Sequence, residues 1–216
     1  MTNLTAASRY NPYVKEGAKT STFEIFESSE GHVPDWFVVP IGGGGNLTSI
    51  YKGLKELKAL GLIEKMPKML GVQGKYCSPV VEAFEKGLPP EQIPEVRDAH
   101  TIAHSILDNW APDGDQALRA IRDSGGTAIG VTDAEIFSAM KSLSKGEGMF
   151  LEPSSAAPLA ALTKMAADGK IGKDDSVVLF ATGSGSNQPE ATIQAWGTPP
   201  TIELDLQGFD QFMGHG

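Results

Sequence analysis

The sequence predicts an α/β fold with a largely parallel sheet covered by helices on both faces, and three observations carry that expectation. Short apolar runs alternate with helical patterns along most of the chain. The runs are continuous rather than alternating in polarity, as in strands buried on both faces. Two of them break into small-residue loops, Gly42-Gly43-Gly44-Gly45-Asn46 and Thr182-Gly183-Ser184-Gly185-Ser186. All strands of a parallel sheet end at one edge, so both loops are expected on that edge, where they can close on one ligand.

Lys19 to Glu27 has helical character and stops before Gly31, and Trp36 to Pro40 reads as the first buried strand. Leu47, Ile50, Tyr51, Leu54, Leu57 and Leu60 recur near a 3.6-residue period, and Gly61 stands where a helix end is capped, so Leu47 to Leu60 is a helix. Lys68 to Val72 is a short strand; Pro79 to Lys86 and Gln116 to Ser124 are helices, the second stopped by Gly125-Gly126. Thr127 to Val131 is a third strand. Thr132 and Glu135 have the spacing of a capping box, in which hydroxyl and carboxylate satisfy orphan helix N–H groups reciprocally, and the helix runs to about Lys145. An Ala-rich helix from Ser154 to Ala167 precedes the final strand, Ser176 to Ala181. In the tail, Ile202, Leu204 and Leu206 alternate, which suits an edge strand or a surface-packed extension.

A chain of 216 residues, 40% hydrophobic and 21% charged, can bury a substantial core. We expect a single α/β domain over 1–216, with 197–216 as a carboxyl-terminal extension. Eighteen basic and twenty-seven acidic residues give a net charge of −9 with no basic cluster, which argues against nucleic acid or an anionic membrane surface as partner and for a small-molecule ligand. A single cysteine, Cys77, excludes an internal disulfide framework, and the polar start has no apolar signal core, so a reducing cytoplasm is the expected compartment. No stretch approaches the ~20 apolar residues of a membrane span.

The loop at Gly42 to Asn46 has the outline of a phosphate cradle. Glycines let successive N–H groups approach one anion without a Cβ in the way, and the following helix adds its positive end. Neither the dinucleotide G-x-G-x-x-G nor the nucleotide-triphosphatase G-x-x-x-x-G-K-[ST] spacing is present. His100 and His104 stand four apart but have no evident third ligand, so no metal site is expected. Cys77 reads as a small buried hydrophobe, Lys52, Lys55 and Lys58 as a solvated helix face, and Met66 and Met69 as core.

Several blocks occur together and in order: Asn11-Pro12-Tyr13, Glu16-Gly17-Ala18-Lys19-Thr20, Val39-Pro40-Ile41-Gly42-Gly43-Gly44-Gly45-Asn46, Gly71-Val72-Gln73, Thr132-Asp133-Ala134-Glu135-Ile136, Glu152-Pro153-Ser154-Ser155-Ala156-Ala157 and Thr182-Gly183. Together they resemble threonine synthase, a pyridoxal-phosphate enzyme of the tryptophan-synthase-β type, from about Asn11 into the tail. The resemblance implies the large cofactor-binding domain of that fold, in incomplete form. It implies that Gly42, Gly43, Gly44, Gly45 and Asn46 grip the phosphate of pyridoxal 5′-phosphate. It also implies that the Thr182 hydroxyl bonds the pyridine nitrogen, a neutral partner that does not hold the nitrogen protonated. Glu152, Ser154 and Ser155 look like the family's turn and helix start beneath the cofactor, with a capping role. Asn11 to Thr20 resembles a helix entry lining the cleft, and Lys19 receives no chemical role.

The chain departs from the family pattern in one respect. The lysine that carries the cofactor, its Lys-Asp-Arg segment and the Ser/Asn-rich loop that holds the substrate carboxylate all lie upstream of the matched part in that family, and no Lys-Asp-Arg occurs here. No catalytic residue is therefore assigned. The expectation is the carboxyl-terminal part of an enzyme converting O-phosphohomoserine to threonine and phosphate, working with a second polypeptide that carries the lysine domain, in a homo- or hetero-oligomer, on an amino-acid substrate. Two alternatives stand beside it: a related lyase such as a threonine dehydratase or a cysteate-forming synthase, and a non-catalytic module that binds pyridoxal phosphate or phosphate.

Overall fold

The computed structural model describes residues 10–202 and 206–214. Two short helices, α1 (Pro12–Ala18) and α2 (Thr20–Ser28), precede strand β1 (Trp36–Pro40) and helix α3 (Gly45–Ala59). Strand β2 (Lys68–Gly74), helices α4 (Pro79–Glu85) and α5 (Gly114–Asp123), and strand β3 (Thr127–Val131) follow. The chain continues through α6 (Asp133–Glu147), α7 (Pro153–Ala167), β4 (Val177–Leu179), α8 (Pro189–Trp196) and α9 (Leu206–Met213). The sheet order is β3-β2-β1-β4 and every pairing is parallel. The α/β class with helices on both faces is what the apolar runs imply.

Side chains of β1 alternate between two cores because successive Cβ atoms point to opposite faces. Phe37 and Val39 join α3, α4 and α5 through Leu47, Ile50, Leu54, Val80 and Leu118. Trp36 and Val38 join α6 and α7 through Ile136, Met140, Ala157 and Ala161. All five β1 residues are buried, which is why the run is apolar throughout. Helix α6 begins at the expected capping box: the Glu135 N–H donates to Thr132 Oγ1 at 3.3 Å, and the Thr132 N–H donates to Glu135 Oε2 at 2.7 Å.

Lys19, which has no assignable chemistry, proves structural. Its ammonium lies 2.6 Å from Glu16 and 2.8 Å from Glu56, and Lys52 bridges the same two carboxylates at 2.5 and 2.9 Å, tying the first helices to α3. Hydrogen bonds from Lys19 and then Lys52 hold the Glu16 carboxyl down to about 2.

Several outcomes differ from the sequence reading, among them a final strand shortened to Val177–Leu179. Helix α3 starts within the glycine loop, at Gly45, so Asn46 belongs to its first turn. Helix α8 follows the second loop in a segment without a strong apolar period. In the tail, Leu206 opens helix α9 rather than extending a strand, and Leu204 lies outside the described residues. No described helix is long and apolar enough to cross a membrane.

Candidate functional site

Strand order fixes where a ligand can enter. From β1 the chain builds β2 and β3 to one side and returns to place β4 on the other. The connections leaving β1 and β4 therefore diverge and leave a crevice at the carboxyl edge, the topological switch point where open α/β sheets bind ligands. Both small-residue loops leave there. Gly42 to Asn46 and Thr182 with Gly183 line one cleft of ≈ 560 Å³, completed by Ser105, Ile106, Pro112, Asp113, Glu152, Ser154 and Asn187.

The glycine loop presents its backbone to this cleft. Among the described residues no acceptor takes the N–H groups of Gly42 to Asn46; the first donor of the turn with a partner is Thr48, whose N–H reaches the Gly44 carbonyl at 3.2 Å. Consecutive unpaired donors at a helix start attract an anion, because the α3 dipole adds partial positive charge there. The loop's other side is packed. A Cβ on Gly42 would stand 2.9 Å from Asp108 Oδ2 and 3.1 Å from the Ser105 carbonyl, and one on Gly43 3.2 Å from Pro112. Gly44 has φ +97, and its Cβ would stand 2.9 Å from the Asp113 carbonyl. The segment 105–113 thus packs directly against the loop, and the Asp113 N–H donates to the Gly43 carbonyl at 2.7 Å.

The cleft lining holds no cationic side chain, and its two carboxylates are each occupied. Asp113, almost fully buried, accepts from Lys15 at 2.7 Å, and Lys15 also reaches Gln116 at 2.8 Å. Glu152 accepts from the Asn187 amide at 3.2 Å. Outside the lining, burial pushes the Asp108 carboxyl up from its ordinary range, and likewise the Cys77 thiol, which donates to the Asp108 carbonyl at 3.0 Å.

Across from the glycines, Thr182 is held by helix α7. Ser155 Oγ accepts the N–H groups of Thr182 at 3.0 Å and Gly183 at 2.6 Å, and lies 2.9 Å from Thr182 Oγ1. Ser154 Oγ accepts the Ser105 N–H at 3.1 Å. The sequence reading gave Glu152, Ser154 and Ser155 a capping role. Glu152 does occupy the N-cap position of α7 but makes no side-chain cap bond there, and both serines spend their hydroxyls on cross-ties between segments remote in sequence. Such ties leave no local signature, which is why sequence reasoning placed Ser155 beneath the cofactor without its cross-tie to Thr182 and Gly183, and missed Asp113, Ser105 and Asn187 as parts of the cleft.

The unpaired amides are suited to an anion such as a phosphate group, and Thr182 lines the same cleft with a neutral hydroxyl. Among the described residues no group of three or more His, Cys, Asp or Glu side chains could hold a metal ion. His100 is not helical; its ring stacks on Tyr76 with centroids 4.8 Å apart.

The family described as pyridoxal-phosphate dependent enzymes matches residues 1–183. A threonine synthase of Methanosarcina acetivorans is 42% identical over 199 residues, covering 91% of this chain and 48% of that protein. One from Methanocaldococcus jannaschii is 41% identical over 196 residues, with the same shares, 91% and 48%. The chain thus spans about half the length of the curated relatives it matches. Among solved structures, a processed threonine deaminase isoform 2 from Solanum lycopersicum superposes with a TM-score of 0.68 at 18% identity, over 87% of this chain and 51% of that one, a likeness of fold.

Proposed function

The chain belongs to the family of pyridoxal-phosphate-dependent enzymes, and we propose that it supplies the cofactor-binding floor of a threonine-synthase-like enzyme acting on O-phosphohomoserine. In this reading the N–H groups of Gly42, Gly43, Gly44, Gly45 and Asn46 bind the cofactor phosphate, and the Thr182 hydroxyl bonds the pyridine nitrogen. When bound, pyridoxal phosphate supplies an electron sink for bonds at the substrate's α-carbon. The chain's own residues do the rest of what this half can do. Gly42 to Asn46 bind an anion through backbone dipoles, Asp113 and Lys15 brace the loop, and Ser155 orients Thr182. The observation that carries the proposal is the row of unpaired amides at the end of β1 in one cleft with Thr182.

No lysine lines the cleft among the described residues, so in this reading the lysine is brought by another segment, on this polypeptide or on a second one. Strand β4 stands at one end of the sheet, and among the described residues no strand pairs with its outer edge. Its Val177 and Leu179 line an apolar groove with Leu143, Met149, Leu151 and Leu159, a surface suited to a further strand from such a partner, in a homo- or hetero-oligomer. We read 1–216 as one α/β unit with 197–216 as an extension, working in the cytoplasm. A related lyase is the second reading, favoured by the fold shared with a threonine deaminase.

The test is equilibrium dialysis with pyridoxal phosphate, competed by inorganic phosphate. Saturable binding that phosphate displaces and that Gly44→Ala weakens supports the reading. Binding that neither phosphate nor the substitution affects would place the ligand elsewhere and sink it. Turnover of O-phosphohomoserine is expected only after a lysine-bearing polypeptide is added.

A further inference from the structure

Asp113 puts a buried carboxylate beside the glycine loop, where a negative charge opposes the binding of an anion. The residue lines the cleft together with Gly42 to Asn46, and a Cβ on Gly44 would stand 3.3 Å from the Asp113 Cβ. The start of α5, whose N-cap position Asp113 occupies, supplies only partial positive charge. Lys15 supplies a full one from outside the cleft. Its ammonium lies 2.7 Å from Asp113 Oδ1 and donates to Gln116 Oε1 at 2.8 Å, joining α1 to the start of α5. With side chains 12% and 3% exposed, the pair is sheltered from the screening that makes surface ion pairs weak. The same Asp113 holds the loop through its backbone, because its N–H donates to the Gly43 carbonyl at 2.7 Å.

We propose that Lys15 is a positioning residue for the anion cradle: by neutralising Asp113 it sets the loop's affinity for an anion without itself lining the cleft. The inference rests on the reading of Gly42 to Asn46 as the phosphate site. Without the ammonium, Asp113 is an uncompensated charge in the cleft wall and opposes the positive end of α3. Neighbouring cations do not stand in for Lys15. Lys19 and Lys52 are tied to Glu16 and Glu56, Arg119 is tied to Glu91, and Lys55 lies over the Tyr51 ring. Asp115 and Asp123 on α5, and Asp108 and Glu152 beside the loop and cleft, add negative charge, so the loss of one cation is not offset. A mere brace and a charge balance differ in one respect. If Lys15 only held Asp113 in place, removing either partner would loosen the loop and weaken binding. If it acts through charge, removing the ammonium and removing the carboxylate move affinity in opposite directions.

The test is equilibrium dialysis of the full chain with pyridoxine 5′-phosphate, which lacks the aldehyde and cannot attach to Lys15 or any other amine. Inorganic phosphate is the competitor, and thermal denaturation checks that each variant folds. A unit charge within about 10 Å at an effective dielectric near 20 is worth about a tenfold change in affinity. Lys15→Met should therefore raise Kd about tenfold, and Lys15→Arg, which keeps the charge, should stay within about twofold of wild type. Asp113→Asn should lower Kd by about threefold, less than the full effect because solvent reaches the freed ammonium, and Lys15→Met combined with Asp113→Asn should return Kd to within about threefold of wild type. An Asp113→Asn variant that binds no tighter than wild type overturns the proposal, and so does a double variant no tighter than Lys15→Met. If Lys15→Met does not fold, the Asp113→Asn result decides alone. If wild type binds, phosphate displaces the compound and Gly44→Ala weakens it while the Lys15 and Asp113 variants match wild type, only the role of Lys15 fails. If wild type shows no saturable binding, the reading of the cradle fails and this proposal with it.

Discussion

Replacing Gly44 by alanine separates two reasons for a glycine and tests the cradle directly. Gly44 has φ +97, where an L side chain costs about 1–2 kcal/mol. Its Cβ would also stand 2.9 Å from both the carbonyl carbon and the oxygen of Asp113. That neighbour is backbone, braced by the bond from the Asp113 N–H to Gly43 and by Lys15 on its carboxylate, so no rotamer change can relieve the overlap. Overpacking of this kind adds about 1–3 kcal/mol, for a total near 3 kcal/mol. For a domain of this size that lowers the melting temperature by about 6–12 °C. Gly61 is the internal control: its φ is +72, but nothing lies within 4 Å of its Cβ position. Gly61→Ala should cost only the conformational part, about 1 kcal/mol, and leave ligand binding unchanged. In Gly44→Ala the loop can relax only by turning its amides, so the dissociation constant for pyridoxine 5′-phosphate should rise at least about tenfold. Thermal denaturation and equilibrium dialysis measure both. Equal melting temperatures and equal affinities for the two variants would refute the reasoning.

Three further outcomes are expected. Thr132→Ala breaks the capping box of α6 and should lower stability by about 1 kcal/mol in urea denaturation without changing ligand affinity. Glu16, held at about 2 by Lys19 and Lys52, contributes stability that is full above its unfolded value of 4.5 and lost as pH falls through about 2; Glu16→Gln should flatten that part of the acid limb and leave the limb above pH 5 unchanged. Burial raises the Asp108 carboxyl, so its ionised form costs stability at neutral pH and places a negative charge behind the anion cradle. Asp108→Asn should stabilise the fold slightly and tighten pyridoxine phosphate binding by about fivefold, read by calorimetry; weaker binding would show that the carboxylate braces the loop instead.

Strands and the loops that follow them were the most legible part of the sequence. Trp36–Pro40 and Thr127–Val131 match their apolar runs to the residue, because a strand buried on both faces leaves an uninterrupted signal. The parallel order turned the two small-residue loops into neighbours, as expected from their place at strand ends. Helix α8 gave little notice beyond Pro189 at its start and Glu190 in the first turn, since it buries only Ala191 and Ala195. The wall formed by 105–113 has no period at all. Its position comes from single long-range bonds, Ser105 to Ser154 and Asp113 to Gly43, which composition and spacing do not encode.

Charge explains why the site takes this form in an acidic chain. With a net charge of −9, an anion site built on lysines and arginines would compete with nearby acids for the same cations, and Lys15 shows this by pairing with Asp113 rather than facing the cleft. Backbone amides cannot be diverted in that way. Their direction is set by the turn at Gly44 and the axis of α3, and they lose nothing to neighbouring carboxylates beyond a long-range potential. The same logic extends to Thr182, a neutral hydroxyl held in place by another neutral hydroxyl, that of Ser155. The cleft lining thus presents oriented dipoles rather than free charges, its two carboxylates being satisfied by Lys15 and Asn187.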